Sequence, residues 1–327
     1  MFSAIDKKQG AIIIVTSLLL GAGTFFWVAC TSGAVGWTWD EVYYFSSSEL
    51  QLEWLRAIIP AIKKGTLSHI FSQSTIDSYW LWDTYHNPHP SFYKILSSLS
   101  LIVFRNVLGE FVAYRLATAF LAGMLVCFLF LAVEKKHGLL PALYGALSLL
   151  FMPLFFGHAH IAATEIPLAT FWFCSYWAFR KGLDRMSGSL MLSVFLGCAL
   201  ATKFTAILIP GAFLLWSILY RDRRALRNIA AMTLSPLIAV VLNPGWWHQP
   251  FKKIVDFILI STSREMTLPI STFFMNKMYV FSPPWYYSSV MIAITVPVVI
   301  LLTILLGFVF LVKQKFRNAY DMLFLLN

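Results

Sequence analysis

Apolar residues come in blocks along this chain. Runs at 11–29, 111–133, 139–157, 164–180, 188–201, 204–220, 227–243 and 288–312 carry little charge and are separated by short polar or basic stretches. A bilayer core about 30 Å thick takes roughly 20 apolar residues of helix, so the pattern predicts about eight transmembrane helices. The run at 188–201 is short for a crossing and is expected to be broken or tilted. A further apolar stretch, 92–108, is long enough to pass for another crossing.

Composition agrees with the pattern. Hydrophobic residues make up 59% and charged residues 12%, with a mean hydropathy of +0.72; soluble domains carry about 25% charged residues. The chain reads as an all-α polytopic membrane protein. Its net charge of +10 comes from basic residues that alternate with the apolar runs and form no single face, which excludes a nucleic-acid partner. With the eight runs as spans, Lys7/Lys8, Lys135/Lys136, Arg180/Lys181/Arg185, Arg221/Arg223/Arg224/Arg227 and Lys313/Lys315/Arg317 all fall on one side. They are fourteen of the 25 basic residues, and their side is the cytoplasm.

That orientation decides the extra stretch. A crossing at 92–108 would invert everything after it, so this segment is expected to be an interfacial or re-entrant helix. Residues 30–110 then form a large external first loop carrying juxtamembrane helices, 244–287 form a second external loop, and 1–327 read as one module. Residues 11–29 follow Lys7 and Lys8 as a signal peptide would, but with many spans downstream they are expected to stay as an uncleaved first helix. The final "DMLFLLN" reads like the start of another span, so a C-terminally truncated chain is expected. Cys30, Cys127, Cys174 and Cys198 have no CxxC spacing and suggest neither a metal site nor a disulfide framework.

Candidate chemistry gathers at the external helix ends. Asp40 and Glu41 follow the first span inside an aromatic belt of Trp37, Trp39, Tyr43 and Tyr44, where two carboxylates are costly without a partner or a task. Helical neighbours point about 100° apart, so one acid can face a cavity while the other pairs with a base. Glu165 stands at the turn between the third and fourth spans. In "YHNPHPSFYK", prolines and an Asn force an extended turn from which His86, His89 and Lys94 could meet a phosphate. Arg115 and Lys203 lie near external helix ends, where a cation snorkels, pairs with an acid or binds an anionic group. His158 and His160 are weak metal candidates, since their i, i+2 spacing comes without a third ligand. Trp246, Trp247 and His248 could stack on a sugar or belong to the aromatic belt.

Taken in order, these motifs resemble the GT-C superfamily of polyprenyl-phosphate-dependent glycosyltransferases. The similarity is greatest to the protein O-mannosyltransferase branch, which includes the lipid A aminoarabinose transferases. The resemblance rests on Asp40-Glu41 opening the loop, His89-Pro90-Ser91 with Lys94, Arg115-Leu116, Gly157-His158-Ala159, Thr164-Glu165-Ile166-Pro167-Leu168 and Thr202-Lys203. Ser91 stands where the family has a second proline, and Glu165 where it has an aspartate.

The resemblance implies a GT-C-type bundle that moves a sugar from a polyprenyl-phosphate donor to a lipid, glycan or protein acceptor. Asp40, Glu41 and Glu165 would be catalytic, with Asp40 the base and the anomeric centre inverted. His86, His89, Lys94, Arg115 and Lys203 would bind the donor phosphate. The implied location is the bacterial inner membrane, with the site facing the periplasm or exterior. No particular cofactor is implied, and a divalent cation is compatible with the resemblance. Two other readings remain: a transporter or flippase for an anionic lipid or sugar, and an inactive GT-C-like scaffold.

The orientation can be tested in intact cells. In a background without native cysteines, Lys135→Cys and Asp222→Cys are expected to resist a membrane-impermeant thiol reagent. Labelling of either would overturn the orientation and the external site together.

Overall fold

The computed structural model describes residues 7–81, 89–263, 271–280, 282–314 and 319–327. These are helical nearly throughout, as expected of an all-α polytopic membrane protein. In order they form α1 (Lys7–Thr31), α2 (Trp39–Lys64), α3 (Leu67–Ile70), α4 (Gln73–Trp80), α5 (Phe92–His137), α6 (Leu139–Leu150), α7 (Pro153–Ala159), α8 (Glu165–Asp184) and α9 (Met186–Leu200). They continue with α10 (Leu208–Tyr220), α11 (Ala225–Met232), α12 (Ser235–Val241), α13 (Pro250–Thr262), α14 (Tyr287–Thr295), α15 (Val298–Lys313) and α16 (Ala319–Leu326). A small hairpin pairs β1 (Thr272–Phe274) with β2 (Lys277–Tyr279). Its two turn residues, Met275 and Asn276, have φ of 46° and 62°, the twist a two-residue hairpin favours.

All eight apolar runs are helical, but several are broken. Among the described residues, α1 and α5 are long and apolar enough to cross a membrane alone, and the bent pairs α6–α7 and α14–α15 raise the number to four. The 288–312 run is not one straight crossing, because α14 and α15 meet at 116°. Pro297 lacks the N–H that would continue α14 and pushes Val296 into an extended conformation. By contrast α9 is unbroken; its 15 residues span about 22 Å.

Helix α5 is two helices joined at Gly109, whose φ of 76° and ψ of 162° reverse the chain. Ser100 then reaches back to donate to the Ala113 carbonyl at 2.5 Å. Both ends of the 92–108 segment sit at the same end of the bundle. Phe92 N–H donates to the carbonyl of Ala201, just past α9, while Val112, three residues past the break, lies beside Gly33 at the exit of α1. The segment therefore lies across the bundle end and does not thread through it. Beyond the break, α5 runs back along α1 through Gly21 and Gly123. A Cβ on Gly123 would fall 2.4 Å from the Gly21 carbonyl oxygen, so this crossing requires glycine.

The α2–α4 region and the segment that leads into α13 lie on one side of the bundle, because they touch. Trp247 stacks on Phe71 at 6.0 Å and meets Trp54 edge-on at 6.2 Å. His248 Nε2 lies 2.8 Å from the Phe71 carbonyl oxygen, and Lys253 pairs with Asp77 at 3.1 Å. Two basic loops meet in the same way: Arg224 pairs with Asp184, and Arg227 donates to the Gly182 carbonyl.

One buried ion pair ties these parts together. Thr38 caps α2, and Glu41 reaches back to the Thr38 N–H at 3.0 Å. Glu41 also accepts from the Ala162 N–H at 2.7 Å and pairs with Arg115 at 2.6 Å, and both charged side chains are fully buried. Arg115 spends all five N–H donors on Glu41 and on the carbonyls of Ser32, Val35 and Gly36. Its guanidinium lies 4.0 Å from the Phe111 ring centroid. The exit of α1, the start of α2, α5 and the approach to α8 all meet here.

Removing one member leaves the other charged and buried. Arg115→Met is therefore expected to destabilise the protein by about 3–5 kcal/mol, read as a lowered unfolding midpoint in detergent. An unchanged midpoint would remove this pair from its structural role.

Candidate functional site

The site is built on one face of α2. Helical spacing puts Asp40, Tyr44, Ser47 and Gln51 in line, and Glu41 turns about 100° away into its ion pair. Asp40 is exposed in the first helical turn, where the N-terminal end of the helix favours a carboxylate. One turn on, Tyr44 is buried; its ring lies 6.0 Å from the His89 ring and 5.7 Å from Lys94 Nζ. Asp40 thus stands about 6 Å along the helix from Tyr44, whose ring lies beside a shelf of His89 and Lys94.

Three contacts hold the shelf. Ser48 and Ser98 donate to the Lys94 carbonyl, and Ser98 also reaches the Ser48 carbonyl. Ser91 donates its hydroxyl to Asn243 Oδ1 at 2.9 Å and ties the turn to the end of α12. Tyr93 donates or accepts across 2.5 Å to Thr118.

His89 and Lys94 open onto a cleft of about 160 Å³, lined also by Ser47, Trp80, Asn243, Trp246, Lys253 and Asp256. Trp80, Asn243, Lys253 and Asp256 escaped the sequence reading. The only signal for the last two was the helical face Lys253, Asp256, Phe257 and Ile260 (i, i+3, i+4, i+7). Nothing in that pattern says the face docks against the first external loop.

A second acid–base pair borders the same turn. Lys203 donates to Glu165 at 2.6 Å, both partly exposed, and joins the start of α8 to the end of α9. Lys203 follows Ala201, whose carbonyl accepts from the Phe92 N–H two residues before Lys94. His158 lies within electrostatic range of Glu165 and keeps a buried, unpartnered Nδ1.

Other expected site residues are placed differently. Arg115 has no N–H left for a phosphate, and both oxygens of Glu41 are occupied inside the fold, so neither is positioned to touch substrate. His160 is buried, its Nε2 2.7 Å from Thr31 Oγ1 and its Nδ1 2.7 Å from the Phe156 carbonyl oxygen, leaving no nitrogen for a metal. Among the described residues no three His, Cys, Asp or Glu side chains come together as a metal-ligand group. His86 lies outside the described residues.

No curated protein and no solved structure matches the chain. Residues 88–248, which run from the His89 turn to His248 and include Lys94, Glu165 and Lys203, match the family model for dolichyl-phosphate-mannose-protein mannosyltransferase. That match supports membrane glycosyltransferase activity and is in keeping with a glycosyltransferase of the GT-C superfamily.

Proposed function

We propose that this protein moves a sugar from a polyprenyl-phosphate donor to an acceptor hydroxyl or amine at the external membrane face. The observation that carries this reading is the placing of Asp40 on the α2 face one turn from Tyr44, whose ring meets both His89 and Lys94. Tyr44 thereby links a carboxylate at the start of α2 to a cationic shelf. The donor tail stays in the bilayer, which is why the site sits at the helix ends.

The chemistry is a single displacement. The acceptor oxygen or nitrogen attacks the anomeric carbon as Asp40 takes its proton. The bond from that carbon to the phosphate oxygen breaks, and its electron pair leaves with the phosphate. Lys94 and His89, with Lys203 close to the turn, offset the charge that grows on the leaving group. Attack from the face opposite the phosphate inverts the anomeric centre. The acceptor would be a lipid, glycan or protein, and the bacterial inner membrane facing the periplasm is the compartment this reading calls for.

Asp40→Asn removes basicity and keeps size. Transfer is expected to fall by roughly 10²–10⁴-fold, the usual general-base contribution, while donor binding changes little. Lys94→Gln should weaken donor binding as well as turnover. Transfer kinetics and donor binding on purified, folded variants check both. Near-normal turnover in Asp40→Asn would end the case for this base. A wild-type protein that binds the donor but transfers no sugar to any acceptor would favour transport.

A further inference from the structure

The cleft has a second wall that the proposed phosphate chemistry leaves unused. Trp80, at the end of α4, lines it and is 6% exposed, yet its indole N–H is buried with no hydrogen-bond partner. A buried donor left unmatched calls for a partner from outside the fold. Asp256, on α13, lines the same cleft and makes no side-chain hydrogen bond or ion pair with another described residue. Its neighbour one turn away, Lys253, is committed to Asp77 at 3.1 Å. A donor without an acceptor and an acceptor without a donor therefore face one space.

Vicinal sugar hydroxyls answer both needs, because each can donate and accept. Trp246, also in the lining and mostly buried, adds an apolar surface suited to the C–H face of a ring. The volume, about 160 Å³, equals that of roughly five waters and suits one sugar ring. Lys94 and His89 in the same cleft meet what such a ring would carry, a phosphate.

We propose that Trp80 and Asp256 form the subsite that recognises the hydroxyls of the donor sugar, a single neutral monosaccharide ring. This rests on the donor reading above and goes beyond it by naming the residues that select the sugar. Neither residue takes part in bond making. Trp80 donates to one hydroxyl and Asp256 accepts from another. Sites that hydrogen-bond a substrate hydroxyl discriminate strongly, because an analogue lacking it leaves the protein groups unpaired.

The test compares binding of bare polyprenyl phosphate with binding of polyprenyl-phosphate mannose, glucose, galactose and arabinose. It uses the full chain, purified in lipid nanodiscs. In the wild type at least one sugar is expected to tighten binding about tenfold or more over the bare phosphate, in the range a hydroxyl-reading site supplies. Trp80→Phe, which keeps the ring, and Asp256→Asn should each erase most of that increment. Bare polyprenyl phosphate, which also reports folding, should bind both variants as it binds the wild type. Equal loss for sugar-bearing and bare ligands, or an increment that survives both substitutions, overturns the subsite. Bare phosphate binding with no sugar increment in the wild type sinks the subsite and leaves the donor-phosphate reading standing. No binding of either ligand sinks both. A fall in turnover with unchanged donor binding in Asp256→Asn would put that carboxylate in the chemistry and overturn its recognition role.

Discussion

The fully buried pair of Glu41 and Arg115 is the interaction on which this end of the protein depends. Two charges taken out of water are a net cost unless every donor and acceptor is matched. Here Arg115 uses five N–H groups and Glu41 both oxygens. The pair fixes where α1 ends, the angle at which α2 begins, and how the 160–165 turn approaches. Because α2 is clamped at Glu41, its neighbour Asp40 is held on the adjacent face, one turn before Tyr44, whose ring lies beside His89 and Lys94. The adjacent acids thus divide two tasks: one is locked into architecture, and the other stays exposed.

The second requirement is a roof. The α2–α4 region gathers its own apolar cluster around Trp54, Ile76 and Trp80, and the segment that leads into α13 packs on it. Trp54, Phe71, Trp80 and Trp247 form an aromatic seam, reinforced by Lys253–Asp77. Ser91–Asn243 makes a second stitch, to the end of α12. The cleft lies between these stitches, so its lining comes from segments more than 150 residues apart. A wall shared between two loops can change with either one, and substrate choice can vary without disturbing the helices beneath.

Packing within the bundle follows membrane physics. Lipid supplies no hydrophobic drive between helices, so close approach through small residues replaces it, as at Gly21 and Gly123. Several polar side chains inside the bundle are matched locally: Thr170 donates to the Leu121 and Ile166 carbonyls, and Asn228 bridges Ser189 and the Phe179 carbonyl.

Much of this was legible in the sequence. Blocks of apolar residues fix helices because a bilayer leaves backbone groups no other partner, and every predicted run is helical. Positive charges between the runs argued that 92–108 stays at one end of the bundle, and the Gly109 reversal agrees. Bends escaped the reading because Pro297 punctuates a run without changing its hydropathy. The ordered motifs brought out Asp40, His89, Lys94, Glu165 and Lys203, since a charge near lipid needs a reason to be there. What they could not separate was a charge kept for substrate from one consumed by the fold. Arg115 and Glu41 look as functional in sequence as Lys94 and Asp40. Only three-dimensional contact shows that the first two have spent their hydrogen bonds on each other and on carbonyls around them. The Trp80–Asp256 wall was equally hidden. Periodicity reports which face of a helix is apolar, and only tertiary packing decides what that face meets.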